Sequence, residues 1–93
     1  MTLEFEWDET KAASNEDKHG VSFLEARTVF NDEFSITIPD IEHSDDEERW
    51  IDLGMSAFGN LLVVVYTERT PRIRLISARV ATGKEREAYE RQD

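Results

Sequence analysis

Residues 61–66 read Leu-Leu-Val-Val-Val-Tyr, six consecutive apolar side chains rich in β-branched valine. The run is too short for a free-standing buried helix, and its composition suits a strand covered on both faces. A chain with such a strand must build structure on either side of it. Thr70-Pro71 interrupts the pattern, and Arg72–Val80 resumes it with aliphatic residues between charges. This predicts a tight antiparallel hairpin. With a two-residue loop, Arg69 pairs with Arg72 and Thr67 with Arg74. Alternation then puts Arg69, Arg72 and Arg74 on one sheet face and Arg79 on the other. Three neighbouring cations repel one another unless something anionic sits over them. The plainer alternative is a solvated strand face that keeps the sheet soluble.

The preceding chain supplies covering elements. Leu3, Phe5 and Trp7 alternate with Glu4 and Glu6, as in a short half-buried strand. Asp8 can cap a helix over residues 9–18, and Gly20 can end it in the left-handed conformation. Ser22 and Glu25 form a capping box for a second helix, whose apolar face is Phe23, Ala26 and Phe30, ending near Asn31 and Asp32. Phe34, Ile36 and Ile38 alternate with Ser35 and Thr37 up to Pro39, which predicts a strand. Residues 40–48 form an acidic loop carrying His43 and the run Asp45, Asp46, Glu47, Glu48, whose mutual repulsion favours mobility. Arg49–Met55 is another strand, with Gly54 as a candidate bulge. A second capping box, Thr82 with Glu85, starts a C-terminal helix with few apolar residues, chiefly Ala88 and Tyr89. The predicted order is β-α-α-β-β-β-β-α: an α+β fold with a mostly antiparallel sheet and helices packed on it.

Ninety-three residues suit one domain, 1–93, with one modest core. Without cysteine there is neither a disulfide framework nor a thiolate metal site, which fits a reducing cytoplasm. The acidic start is unlike a signal peptide, and no apolar run nears the ~20 residues of a bilayer span, so no membrane partner is expected. Net charge is −10, but it is unevenly placed. Residues 1–48 carry three Lys/Arg against fifteen Asp/Glu, whereas residues 49–93 carry eight against six. That asymmetry points to an acidic surface for a basic partner plus a local basic site; the alternative is that acidity serves solubility alone.

Several blocks stand out in order: Phe5-Glu-Trp-Asp8 with Lys11 and Asn15, Lys18-His-Gly-Val-Ser-Phe23, Glu47-Glu-Arg49 before Gly54, and residues 61–69. Arg72-Ile73, Ile76-Ser-Ala-Arg79, Glu85-Arg86 and Tyr89 complete the set. Together they resemble the BrnT family of type II toxin–antitoxin toxins. The resemblance implies a RelE-like fold and a small cytoplasmic endoribonuclease that blocks translation. It also implies a BrnA-like antitoxin with a ribbon-helix-helix DNA-binding segment. DNA would be met only through that antitoxin, whose dimerisation would set the oligomer, and the complex would repress its own operon.

Metal-free RNA cleavage uses the 2′-hydroxyl as nucleophile. It needs a base, an acid and cations for the charge accumulating on the phosphoryl oxygens. Arginine suits the last task because its planar fork meets phosphate bidentately and stays protonated. Arg49, Arg69 and Arg79 are candidates for it. Arg72 and Arg74, nearer the hairpin tip, are candidates for contacts to the RNA backbone or the antitoxin. If both Arg69 and Arg79 are to reach one phosphate, the hairpin must contain a bulge or a loop of different length. His19 is a candidate acid or base, since histidine is the side chain suited to proton transfer near neutral pH, or else sits at a helix C-terminus facing the last carbonyls. Lys18 either holds a phosphate or complements the helix dipole. Glu48 and Glu68 are possible bases or arginine partners. Tyr89 either donates to the leaving oxygen as part of the RNA site or anchors the last helix. No His/Cys/Asp spacing suits a metal, and none is expected to be needed. The competing reading is a non-catalytic acidic module that pairs with a basic DNA-binding partner in autoregulation. Direct duplex binding is disfavoured, because the last helix mixes Lys84, Arg86 and Arg91 with Glu85, Glu87, Glu90 and Asp93.

Overall fold

The computed structural model describes residues 3–43 and 47–92. Strand β1 (Glu4–Glu6) leads into helix α1 (Glu9–His19) and helix α2 (Phe23–Ala26), which continues as a 3-10 turn over Arg27–Asn31. Strand β2 (Ile36–Pro39), a second 3-10 turn (Ile41–His43), strands β3 (Arg49–Met55), β4 (Leu61–Arg69) and β5 (Arg72–Val80), and helix α3 (Gly83–Arg91) follow. The spatial strand order is β1-β5-β4-β3-β2. Strands β2 to β5 form an antiparallel meander, whereas β1 pairs with β5 in parallel. The sheet is therefore mixed. The meander's reversals bring β5 back along β1 in the same direction, and the α1–α2 connection makes that crossover possible.

Local chemistry sets the boundaries. The Asp8 carboxylate accepts the Thr10 and Lys11 N–H groups at 2.8 and 3.1 Å, and Gly20 ends α1 at φ 70°. Past the end of β1, α1 takes over the edge of β5 through one buried side chain. The Asn15 amide donates to the Val21 and Ala78 carbonyls and accepts the Ala78 N–H, replacing the strand partner that β5 lacks there. Ser22 accepts the Glu25 N–H, but the Glu25 carboxylate does not close the expected box. It takes hydrogen bonds from Ser56 and Asn60 instead, tying α2 to the turn between β3 and β4.

Two further expectations change. Phe34 is 66% exposed and precedes β2, because the Asp32 carboxylate captures its N–H in a turn. Gly54 marks no bulge, since β3 and β4 pair in continuous register through it. A Cβ there would stand 2.7 Å from Val29 Cγ1 and 3.0 Å from Ser35 Cβ, so glycine permits the close approach of the 3-10 turn. The expected mobility of the acidic loop concerns a stretch of which Asp45 and Asp46 lie outside the described residues.

Two apolar layers flank β4, as its six-residue run requires. Val21, Phe23, Ala26 and Val29 pack on Leu62, Val64, Tyr66, Ile73, Leu75 and Ala78. On the opposite face Leu53, Leu61 and Val63 meet Ile36, Ile51, Met55, Ala81 and Tyr89. Leu61, Leu62, Val29 and Val64 are fully buried, and each such side chain contributes roughly 1.5–3 kcal/mol. Within the first layer Asp52 accepts hydrogen bonds from Thr37 and Tyr66, and burial pushes its carboxyl above the usual range. Helix α3 buries none of its residues fully. It is held by the Thr82–Glu85 capping box, by a bidentate Arg79–Glu85 pair at 2.8 Å and by Tyr89 donating to Asp32 at 2.6 Å.

Candidate functional site

The two-residue Thr70-Pro71 turn, with a cis peptide bond, sets Arg69 opposite Arg72 and Thr67 opposite Arg74. On the other side of β4, Arg49 of β3 stands opposite Thr67, and on the other side of β5, Glu6 of β1 stands opposite Arg74. One row therefore crosses four strands: Glu6, Arg74, Thr67, Arg49. Directly opposite residues share a face with Cβ atoms about 4.5–5.5 Å apart, so the two arginine stems flank the threonine. The second row, Arg72 beside Arg69, lies one step toward the hairpin tip.

The expected opposition of Arg79 does not hold. Pairing jumps from Tyr66–Leu75 to Val65–Ser77, so Ile76 is an extra residue and alternation resets. Arg79 consequently lies on the same face as Arg69, Arg72 and Arg74. It is nonetheless remote, since five residues of strand span about 16 Å, and its guanidinium faces Glu85 of α3.

Around the first row lies a cleft of about 210 Å³ lined by Lys11, Glu47, Arg49, Thr67, Arg69, Arg74 and Ile76. Lys11 reaches it from the first turns of α1. Among the described residues four cations and one carboxylate thus line it, in a protein of net charge −10. Glu47, just before β3, binds Arg69 in a fork, with Nε to Oε2 at 2.9 Å and Nη2 to Oε1 at 2.8 Å. That fork holds the Glu47 carboxyl below its ordinary range and raises the Arg69 guanidinium. Glu6 serves three arginines at once: Arg74 at 3.1 Å, Arg69 at 3.6 Å and Arg72 at 4.0 Å. Of the polar side-chain atoms buried among the described residues, Thr67 Oγ1 has no hydrogen-bond partner, and its residue is only 2% exposed.

The other sequence candidates lie elsewhere. Lys18 and His19 are exposed at the far end of α1. Eight residues of helix, about 12 Å, separate His19 from Lys11. Tyr89 anchors α3, and its bond to Asp32 followed by burial pushes its hydroxyl up to about 12. Glu48 and Glu68 border a separate hollow with Glu47 and Trp50. His43 pairs with Asp40 in its own loop at 3.1 Å. Among the described residues no group of three His, Cys, Asp or Glu could hold a metal ion. Also among them, no helix is long and apolar enough to cross a membrane. Sequence reasoning missed Lys11, Glu6 and Glu47 as site residues. It paired Thr67 with Arg74 without weighing its hydroxyl.

A second hollow of about 370 Å³ lies on the same sheet face, between α3 and the β2–β3 edge. Ile36, Ile38, Ile51, Leu53 and Ala88 line it, with Lys84 and Glu85 at its rim.

Fold and site define a small α+β domain with an arginine-lined cleft on one face of a mixed five-stranded sheet. A family described as "Ribonuclease toxin, BrnT, of type II toxin-antitoxin system" matches residues 7–85. The chain belongs to the BrnT family. Among solved structures it is similar to the Brucella abortus ribonuclease toxin BrnT, at 21% identity and a TM-score of 0.67, covering 87% of this chain and 99% of that one. At that identity the likeness speaks for the fold. No curated protein sequence matches.

Proposed function

We propose that this BrnT-family chain, residues 1–93 acting as one toxin domain of RelE-like type, is a cytoplasmic endoribonuclease that cleaves RNA without a metal ion. The observation that carries this reading is the row Arg74, Thr67, Arg49 with Arg69 beside it, a set of cations gathered in an otherwise acidic molecule. An RNA phosphodiester entering the cleft replaces the Glu47 carboxylate on the Arg69 fork. Arg49, Arg74 and Lys11 then hold the charge that grows on the phosphoryl oxygens as the 2′-hydroxyl, giving its proton to a general base, bonds to phosphorus and the 5′-oxygen leaves with a proton. Arg72, at the tip, contacts the neighbouring backbone phosphate. Because the arginines are fixed on paired strands, little reorganisation of them accompanies the reaction.

The type II toxin–antitoxin family implies an antitoxin partner. We take it to be BrnA-like, with a ribbon-helix-helix DNA-binding segment, and to link the toxin to DNA and to a higher oligomer. Ile51 and Leu53 in the apolar hollow and Arg49 in the cleft are alternate residues of β3 on one face. An antitoxin segment laid along β3 therefore covers both, burying apolar surface while blocking the cations.

Purified protein incubated with RNA and a chelator, beside an Arg49→Ala/Arg69→Ala variant, tests the enzyme reading. The expected result is cleavage by the parent and none by the variant. No cleavage by the parent, or equal cleavage by both, overturns it. A second reading, a non-catalytic module for a basic partner, is favoured by one observation: Glu47 and Glu6 already engage Arg69, Arg72 and Arg74. It predicts salt-sensitive partner binding and no growth arrest on expression.

A further inference from the structure

We propose that Thr67 is a ligand-binding residue of the arginine cleft: its hydroxyl donates to a non-bridging phosphate oxygen, and the Glu47 carboxylate is the internal anion which that phosphate displaces. The inference deepens the proposed ribonuclease reading, on which it rests for the choice of phosphate.

Thr67 Oγ1 is sealed from solvent yet has no hydrogen-bond partner among the described residues. Burying a hydroxyl unpaired opposes folding, so an orphan in an otherwise satisfied core calls for a physical account. Its position supplies one. Thr67 is the middle residue of the row, with Arg49 opposite on β3 and Arg74 opposite on β5. Arginine side chains only donate, and among the described residues lining the cleft Glu47 is the charged acceptor. Thr67 adds what the cations lack: a neutral hydroxyl that can accept from an arginine while donating to an anionic oxygen. An anion centred between the two arginine stems has that hydroxyl beneath it.

The seal must open for the ligand to arrive. Arg49, Arg69 and Arg74 are rooted in paired strands, whereas Glu47 lies outside any strand. Glu47 engages Arg69 by the same two-point geometry that a phosphate would use. Its carboxylate therefore stands in the cleft as a built-in competitor. Its departure frees the Arg69 fork for the phosphate.

An all-deoxy single-stranded oligonucleotide serves as the probe, because it presents phosphodiesters without a 2′-hydroxyl. Its dissociation constant is measured at low salt for the parent, Thr67→Val, Thr67→Ser and Glu47→Gln, with thermal unfolding of each. Thr67→Val is expected to bind about 10-fold more weakly, Thr67→Ser within about 3-fold of the parent, and Glu47→Gln more tightly. Because valine removes an unpaired hydroxyl, Thr67→Val should unfold at or above the parent temperature without the oligonucleotide. A purely structural threonine would give the opposite pattern, an earlier-unfolding valine variant with parental affinity. Parental affinity in Thr67→Val, no rescue by serine, or no binding by the parent overturns the proposal. A parent that binds the probe but leaves RNA intact sinks the ribonuclease reading alone. A parent that cuts RNA while Thr67→Val keeps full affinity sinks this inference alone.

Discussion

The arginine-bearing face of the sheet handles charge differently at its two ends. Near the hairpin, three arginines share Glu6, and the fork on Arg69 is closed by a carboxylate from outside the strands. Under α3, one arginine meets one carboxylate, Arg79 with Glu85, in a matched pair that also fixes the start of a helix. The same residue type thus does two jobs. Where cations outnumber carboxylates among the described residues, the proposed role is to take up an added anion. Where they balance, the pair is a clasp, and the anion it wants is already present. A count of arginines along β5 cannot separate these cases, because the distinction lies in what faces each one.

The sharpest way to break that contrast is Arg69→Ala against Arg79→Ala. Removing a cation that meets the charge of the transition state costs roughly 10²–10³ in rate. RNA cleavage should therefore collapse for Arg69→Ala with little change in melting temperature. Arg79→Ala should instead lower the melting temperature and spare most of the cleavage rate. Equal loss of cleavage in both variants would return Arg79 to the site and end the distinction.

Gly54→Ala probes the covered end by packing. The added methyl meets Val29 and Ser35, and overpacking of this kind costs about 1–3 kcal/mol. Denaturant titration should show that loss, while cleavage per folded molecule stays at the parent level. A neutral result would mean that the 3-10 turn yields easily.

Tyr89→Phe removes one donor from Asp32, whose carboxyl burial pushes up but whose bonds from Met55, Tyr89 and Phe34 bring below its usual range. The expected loss is about 1 kcal/mol of stability, with unchanged affinity for RNA. A drop in RNA affinity at constant stability would instead make Tyr89 part of the site.

The smallest effect concerns acid. The fork to Arg79, followed by the Thr82 N–H against a modest burial penalty, lowers the Glu85 carboxyl from an ordinary 4.5 to about 2. A depressed carboxyl contributes stability that is complete above the unfolded value and fades as pH falls through the folded one. The clasp should therefore loosen between about pH 4.5 and 2, and Glu85→Gln should flatten that part of the stability–pH curve. An unaltered curve in the variant would show that the clasp contributes nothing measurable.

Much of the frame was legible in the chain. The six-residue run at 61–66 demanded cover on both faces, and received it from the helices on one side and α3 on the other. Asp8, Gly20 and the Thr82–Glu85 box marked helix ends because capping is local, set by residues three or four apart. The two-residue hairpin placed Arg69, Arg72 and Arg74 together by alternation alone. The site itself was only partly readable. Lys11 enters the cleft because α1 flanks the edge of β5 where β1 stops, and nothing in its helical spacing signals that.

Periodicity, capping and turn chemistry act over a few residues, so the amino-acid order by itself settled which elements form and which arginines line up beside the turn. Three things only the folded arrangement decided: the parallel addition of β1, the reset of alternation at Ile76, and the meeting of Thr67 with Arg49 and Glu47. The first and the third join segments far apart along the chain. Contacts of that kind depend on which edges and faces remain uncovered once the local pieces have formed.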